Sequence, residues 1–500
     1  MLKCYDFFFK EQISRVTRRE KSILRMDEQL TSWNVADVLA ATGGRLVQGG
    51  EPLSFSGISI DSRAIHPKEL FVAITGDVHD GHDFIEDALD KGALGVLVSD
   101  DFVTRGMPSR KKRGIWIAVP DTRKALGDLA TFRRRKLDVS VVAITGTNGK
   151  TTTKEMVSSV LEGRYSILKT KGNLNNLIGL PLTLLGLNEN HEWAVLELGM
   201  NRPGEIRRLA QISIPDIGII TNIGHGHLEG VKDIDGVMQA KGELFQEMAR
   251  GNGGFAIVNG DDQRAVRVAK GFTGQVVTFG ITSSGLDVRG VPRGLAKRTN
   301  SFELFIENEK VMIQLPIPGI HNIYNALAAA AVGQQLGLSL EVIKNGLEKV
   351  APIKGRMEII PLRNGVHLID DTYNANPDSM AAALKSLHSL KGKGRAVLVA
   401  GDMRELGEHA RQAHRDIGIM AARMKTSLLF LTGKFAKDLA EGAISAGMES
   451  KDIFLGSHEA ILDDLRGRLT PGDWILVKGS RAMAMERVVE GILELNKEER

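Results

Sequence analysis

Apolar residues along this chain gather in short blocks that alternate with polar, helix-like stretches. Between Met26 and about residue 122, Gly57–Ile60, Leu70–Ile74 and Gly95–Val98 read as strands and Phe84–Lys91 as a helix. Ahead of them, Trp33, Val35, Val38 and Leu39 keep the spacing of a short helix. The basic, Pro-containing stretch Arg105–Arg113 reads as an exposed loop. From about 123 to 352, Val141–Ile144, Trp193–Leu198, Ile217–Thr221, Ala256–Asn259 and Val276–Phe279 are strand candidates, and the Ala-rich run Asn325–Leu336 predicts a buried helix. From about 353 onward, Val366–Asp370, Ala396–Ala400, Leu428–Thr432 and Trp474–Val477 alternate with helices, as in a doubly wound sheet. The pattern predicts an α/β chain. A basic extension (1–25) precedes a small α/β domain (26–122), a central phosphate-loop domain with a mostly parallel sheet (123–352), and a Rossmann-like domain (353–500).

Composition narrows the function classes. With 42% hydrophobic and 25% charged residues over 500 positions, the chain is ordinary globular material. No apolar run approaches the roughly 18 residues needed to cross a bilayer, so membrane insertion is not expected. Cys4 is the only cysteine, which excludes a disulfide within the chain and a zinc–thiolate site and fits a reducing cytoplasm. The net charge of +4 arises in residues 1–25, where seven Lys/Arg face three acids. The rest of the chain is neutral, so a nucleic-acid-binding body is not indicated. Phe7-Phe8-Phe9 is too short for a signal-peptide core, and basic residues follow it instead of preceding it. Either Met26 is the true start or residues 1–25 form a loose basic tail.

Candidate chemistry centres on VVAITGTNGKTTTKE, residues 141–155. Apolar residues run into a glycine-bounded turn that delivers a lysine and three threonines to a helix start. This is the layout of a phosphate-binding loop: backbone N–H groups and the positive helix end cradle phosphate oxygens. Gly146, Thr147, Asn148, Gly149, Lys150, Thr151 and Thr152 form the expected nucleotide site. Lys150 would reach the β- and γ-phosphates, and the Thr151 hydroxyl would sit on Mg²⁺. The usual first glycine, five residues before Gly149, is replaced by Ile144. Glu197 ends an apolar strand, where a carboxylate can meet Mg²⁺. His225 and His227 follow another strand on a glycine-flexible loop. Each is also compatible with a surface or hydrogen-bonded residue, and Lys241 with a solvated helix lysine.

Several further motifs share one resemblance. GTNGKTTTKE, LELGMNRPGEI, NIGHGHLEG followed by AKGELF, GIHNIYNALAA, DDTYNANPDSM, GDMRELGE and VKGSRAMAMERVV resemble the Mur ligases of bacterial cell-wall synthesis. IDSRAIHPKELFVAITGDVHDGHDFIEDALDKGA agrees too, so the likeness runs in order from about Met26 to Glu490. The short phosphate loop alone is shared with folylpolyglutamate and cyanophycin synthetases. DDTYNANP together with GDMRELGE points to the dipeptide-adding member, and the DNPR-type motif of the diaminopimelate- or lysine-adding members is missing.

The resemblance implies an ADP-forming carboxylate–amine ligase acting through an acyl phosphate. Its substrates would be ATP, UDP-N-acetylmuramoyl-tripeptide and D-alanyl-D-alanine, and the expected state is a cytoplasmic monomer. It further implies two Mg²⁺ ions, with Thr151 and Glu197 on one and His227, rather than His225, on the second. Lys241 would be carbamylated, supplying an anion beside the metal. Asn322 and Asn325 match positions near the adenine, with polar packing at a helix start as the alternative. Arg356, Asp371 and Tyr373 would close over ATP, Arg356 on its phosphates; adjacent strand residues face opposite ways, so only one of Asp370 and Asp371 can enter a shared site. Ser62, Arg63, Asp80, Gly81 and His82 resemble the uridine-nucleotide end of the substrate site; a turn with a surface salt bridge is the other reading. Lys171, Asn173, Asn175 and Asn176 would face the muramoyl-peptide, or else serve the loop's own packing. Lys150, Lys241, His227 and Arg356 are the expected catalytic group. A sister amide ligase and a regulatory phosphate-loop ATPase that needs no amine remain the competing functions.

Overall fold

A computed structural model of the protein describes residues 32–50, 54–76, 78–106, 114–251, 253–296, 299–363 and 365–498. The expected extension 1–25, Met26 and most of the Arg105–Arg113 loop lie outside them. The described residues fall into two compact units. One runs up to Asp138 and takes in Leu184–Asn190; the other comprises Val139–Thr183 and the chain from His191 onward.

In the first unit, a five-stranded sheet has the order Arg45–Gln48, Ile115–Val119, Gly95–Ser99, Leu70–Val72, Ile58–Ser59. Its first pair is antiparallel and the others are parallel. The strands show the two-residue period of a sheet buried on both faces. Leu70, Val72, Leu97, Ile115 and Ile117 pack with Trp33, Val35 and Val38, whereas Phe71, Val96, Val98 and Trp116 pack with Ile85 and Ala88. The expected helix at Phe84–Lys91 is Ile85–Asp90, preceded by a tight turn over Gly81–Phe84.

The second unit holds two sheets. The larger has nine strands in the order Glu309–Leu315, Thr299–Ile306, Val288–Ala296, Gln275–Gly280, Phe255–Asn259, Ile217–Ile220, Ser140–Thr145, Trp193–Glu197, Ile167–Lys169. Pairing is parallel from Ile167–Lys169 through to Val288–Ala296 and antiparallel over the last two strands. Ser140–Thr145 lies between Trp193–Glu197 and Ile217–Ile220, so the chain leaves this strand toward one side of the sheet and later returns on the other. Such a reversal opens a crevice beyond the carboxyl ends of the three strands, where ligands bind in open α/β sheets. The phosphate loop, Glu197 and the loop carrying His225 and His227 all start there.

The antiparallel strands are absent from the sequence expectation. Thr299–Ile306 buries Asn300, Phe302, Leu304 and Ile306 and turns Ser301, Glu303 and Phe305 outward, so it carries no solid apolar block. The Ala-rich helix begins at Ile320, earlier than expected, because His321, Asn322 and Tyr324 belong to its first turns.

The smaller sheet has the order Glu358–Pro361, His367–Asp371, Trp474–Lys478, Ala396–Ala400, Leu428–Leu431, Ile453–Leu455, antiparallel at the first pair and parallel elsewhere. Among the described residues, no helix is long and apolar enough to cross a membrane. Ile219 is fully buried beside the phosphate-loop strand. Ile219→Ala should therefore destabilise the larger sheet by about 2–5 kcal/mol in urea titrations, and a cost under about 1 kcal/mol would contradict this packing.

Candidate active site

The phosphate loop is shaped by two glycines that leave no room for a side chain. Gly146 has φ 147°, and a Cβ there would lie 1.9 Å from Thr221 Oγ1. Gly149, at φ 82°, precedes the helix Lys150–Leu161, and a Cβ there would fall 2.3 Å from Asn325 Oδ1. The loop is fastened to the end of the neighbouring strand. Asn148 N–H donates to Asn222 Oδ1 (2.9 Å), the Thr221 hydroxyl and Asn222 Nδ2 donate to Asn148 O (2.7 and 2.9 Å), and Gly224 N–H donates to Thr147 Oγ1 (2.9 Å). Asn322 and Asn325 are buried behind it: Thr153 Oγ1 donates to Asn325 Oδ1 (3.2 Å), Asn325 Nδ2 to Asn322 Oδ1 (3.0 Å), and Asn322 Nδ2 to Pro318 O (2.7 Å). These contacts are the polar packing that was the alternative for the two asparagines.

The Thr151 hydroxyl is the meeting point of the site. It donates to Glu197 Oε2 (2.7 Å) and accepts from Arg356 Nη2 (2.8 Å). Glu197 is 3% exposed, and its other oxygen accepts from Asn175 Nδ2 (2.8 Å). Lys150 Nζ folds back onto the loop carbonyls of Gly146 (2.9 Å) and Thr147 (3.3 Å), which it must leave to reach a phosphate. Burial pushes its pKa down and Arg356 adds to this, while Glu197 and Glu405 oppose it.

Lys241 lies on the helix Ile234–Arg250 and is fully buried, with no hydrogen-bond partner for Nζ. Desolvation drives its pKa well below the ordinary lysine value, and repulsion from Lys150 acts in the same sense. The solvated-lysine alternative is therefore wrong. His227 Nδ1 lies 2.7 Å from Glu405 Oε2, a contact that holds the Glu405 carboxyl below its usual pKa. His225 instead faces Asp378, with its N–H donating to Oδ2 at 2.6 Å. Among the described residues, no three His, Cys, Asp or Glu side chains group as a metal site.

Arg356 stacks on Tyr373, with the guanidinium 3.9 Å from the ring centroid. Asp370 turns to Thr372, whereas Asp371 Oδ2 pairs with Lys478 Nζ at 2.6 Å. Burial raises the Asp371 pKa against the pull of Lys478 and Arg356. In the KGNLNN loop, Asn175 serves Glu197, and Asn176 Oδ1 accepts from Ile178 and Gly179 N–H, while Lys171 and Asn173 are exposed.

In the first unit, Arg63 forms a surface salt bridge with Asp61 (2.8 Å), and Ser62 is buried with its carbonyl on Lys91. Asp80 caps the turn containing Gly81 and pairs with His82 Nδ1 (2.6 Å). The other nitrogen of the buried His82 ring accepts from Ser99 N–H (3.0 Å), so both ring nitrogens are engaged internally.

Comparison with known proteins agrees with this geometry. Residues 54–134 match the catalytic domain of the Mur ligase family, 144–333 the Mur ligase middle domain, and 355–481 the Mur ligase glutamate ligase domain. The UDP-N-acetylmuramoyl-tripeptide–D-alanyl-D-alanine ligase of Treponema pallidum is 37% identical over 460 residues, covering 90% of this chain and 96% of that one. The chain belongs to the Mur ligase family. A crystal structure of MurF from Acinetobacter baumannii superposes with a TM-score of 0.84 at 33% identity, covering 93% of this chain and 99% of that one. The MurF ligase of Thermotoga maritima, solved in complex with ADP, gives 0.78 at 27% identity, covering 89% and 98%. As in these Mur ligases, the architecture is mixed α/β with mostly parallel sheets, and ATP is the nucleotide used.

Several residues of this Mur ligase's site escaped the sequence reading. One is Asn376, which exchanges side-chain amide hydrogen bonds with the expected Asn148 (2.8 and 3.3 Å), tying the phosphate loop to DDTYNANP. Asn376 also caps the helix Pro377–Leu390 through a capping box with Ser379, a signature readable from N-P-D-S. Glu405 and Lys478 gave no local signal of their partners.

His321 was also missed. Its Nδ1 is buried without a partner, and burial, with repulsion from Lys478, lowers its pKa from 6.5 to about 4. Between those values the unfolded chain takes up a proton that the folded ring refuses, so stability falls on acidification from pH 6.5 towards 4. Urea-unfolding free energies measured from pH 7 to 5 should fall less steeply for His321→Gln than for the parent; equal slopes would rule out this contribution.

Proposed function

We propose that this Mur ligase joins the amine of D-alanyl-D-alanine to the terminal carboxylate of UDP-N-acetylmuramoyl-tripeptide, cleaving ATP to ADP and phosphate and giving the pentapeptide precursor of peptidoglycan. The observation that carries the reading is the convergence at Thr151: Glu197 from the central sheet and Arg356 from the C-terminal region meet on one hydroxyl at the head of the phosphate loop. The Treponema relative bears the name of that ligase. A regulatory ATPase has no use for Asp371, Lys478 and the DDTYNANP turn brought to a phosphate loop.

A carboxylate is a poor acyl donor because oxide would have to leave. In the proposed reaction a carboxylate oxygen bonds to the γ-phosphorus and the β–γ bridging P–O bond breaks, releasing ADP. The dipeptide amine then bonds to the acyl carbon, the carbon–oxygen bond to phosphate breaks, and the nitrogen loses a proton. Positioning and charge neutralisation dominate such chemistry. Lys150 and Arg356 supply cationic donors to the phosphoryl oxygens. The N–H groups of Gly149–Thr152, at the start of the phosphate-loop helix, hold the phosphates, and Asn322, Asn325, Asp371 and Tyr373 complete the nucleotide site. Ser62, Arg63, Asp80, Gly81 and His82 serve the uridine end of the substrate, and Lys171, Asn173, Asn175 and Asn176 its peptide end.

The residues present fit Mg²⁺. Both oxygens of buried Glu197 accept hydrogen bonds from neutral donors only, and few protein ligands are needed where phosphates and water complete the shell. Thr151 and Glu197 would hold one ion and His227 a second, and the ions would neutralise growing phosphoryl charge. The partnerless amine of Lys241 fits a neutral group open to carbamylation by CO₂, which converts it to an anion. The domains 26–122, 123–352 and 353–500, a monomeric state and a cytoplasmic location complete the proposal.

Phosphate release should require both UDP-muramoyl-tripeptide and D-alanyl-D-alanine; release driven equally by glutamate or a single amino acid would assign the chain to a sister ligase. Lys241→Ala should lose at least about a hundredfold in activity, within the range for loss of general electrostatic stabilisation, and short-chain carboxylic acids should restore part of it. Full activity in the unrescued variant would remove the carbamate from the account.

A further inference from the structure

We propose that Lys154 is a positioning residue for the nucleotide site, acting on Glu197 through Thr170. Lys154 is 1% exposed on the phosphate-loop helix. Its ammonium donates to Thr170 O (2.7 Å) and pairs with Glu155 Oε1 (2.7 Å). Thr170, also 1% exposed, accepts from Glu197 N–H on its hydroxyl oxygen (3.0 Å) and donates its own N–H to Val195 O (3.1 Å). Glu197 is thus held at two points by one helix: Thr151 binds its carboxylate, and Lys154, through Thr170, fixes its backbone.

The need for such an anchor follows from the sheet. Ile167–Lys169 is an edge strand of three residues, paired with the sheet at three positions only. Thr170 follows it directly, and the loop with Lys171, Asn173, Asn175 and Asn176 follows Thr170. Asn175 in turn donates to Glu197 Oε1. A short edge strand frays readily, so the Lys154–Thr170 bond sets the root of this loop as well as the height of Glu197. Burying an ammonium is costly, and an apolar side chain of similar length in its place is often neutral or stabilising. Glu155 keeps Lys169 as a partner (2.9 Å), so Lys154→Met leaves no stranded carboxylate. Function, not stability, is where this charge should be missed.

The inference rests on the reading that Thr151 and Glu197 hold the metal that accompanies the nucleotide. Its test is calorimetric titration of ADP with and without Mg²⁺, alongside thermal unfolding, for the parent, Lys154→Met, Thr170→Val, Thr170→Ser and Glu197→Gln. Lys154→Met and Thr170→Val should lose about tenfold or more of the Mg²⁺-dependent gain in ADP affinity, with Mg²⁺-free affinity within about twofold of the parent, as expected for partners that orient a ligand residue. Thr170→Ser should retain the gain, and Glu197→Gln should abolish it. An undiminished gain in Lys154→Met and Thr170→Val, beside its loss in Glu197→Gln, overturns the positioning role and leaves the metal reading standing. If Glu197→Gln keeps the gain, both fall. Equal losses with and without Mg²⁺, or a serine variant as impaired as the valine one, would mean structural damage and also overturn it. Should Lys154→Met fail to fold, the valine–serine pair at Thr170 decides alone.

Discussion

Everything in the nucleotide site hangs on one hydrogen bond, from the Thr151 hydroxyl to Glu197. It joins the first turn of the phosphate-loop helix to the end of the adjacent strand and so sets the spacing between loop and carboxylate. Gly146 and Gly149 allow that approach because a side chain at either would strike Thr221 or Asn325. Arg356 then reaches the same hydroxyl, and Tyr373 fixes the guanidinium plane by stacking under it. The C-terminal region therefore meets the phosphate loop and the neighbouring histidine loop through directed polar contacts, among them Arg356 to Thr151, Asn376 to Asn148 and Glu405 to His227. Contacts of this kind are specific in register and cheap to break, as a region that must admit and release nucleotide requires.

The electrostatics of the site are unusual for a protein interior. Lys150 and Lys154 lie on the phosphate-loop helix and Lys241 on Ile234–Arg250; Lys150 interacts with the buried carboxylate of Glu197 and repels Lys241. Lys154 is paired, and Lys150 borrows two carbonyls from its own loop. Lys241 has nothing, and a charged amine there would face the full desolvation penalty. Its depressed pKa is the physical outcome.

Much of this was legible in the sequence because parallel strands and phosphate loops leave contiguous signals. Val141–Ile144, Trp193–Leu198 and Ile217–Thr221 are solid apolar blocks, and they became the three strands that frame the crevice. Lys150, Thr151, Glu197 and Arg356 could be named from local motifs, and the structure brings them together. The antiparallel strands over 299–315 were invisible to a search for blocks, since each buries only alternate residues. Asn322 and Asn325 were named by resemblance, but nothing local showed that their amides also link Thr153 and each other behind the loop. His82 was likewise named by resemblance, and its ring contacts to Asp80 and to Ser99 N–H, seventeen residues away, left no pattern in the sequence. Pairings such as Asn148 with Asn376 span more than two hundred residues, and neither asparagine carries a mark of the other.

The central claim is that the phosphate loop serves to activate a carboxylate. The most direct measurement follows oxygen rather than rate. With ¹⁸O in the terminal carboxylate of UDP-muramoyl-tripeptide, one labelled oxygen should appear in the inorganic phosphate for each amide bond formed. Phosphate free of label, with amide formed at the normal rate, would contradict an acyl-phosphate route and the account built on it.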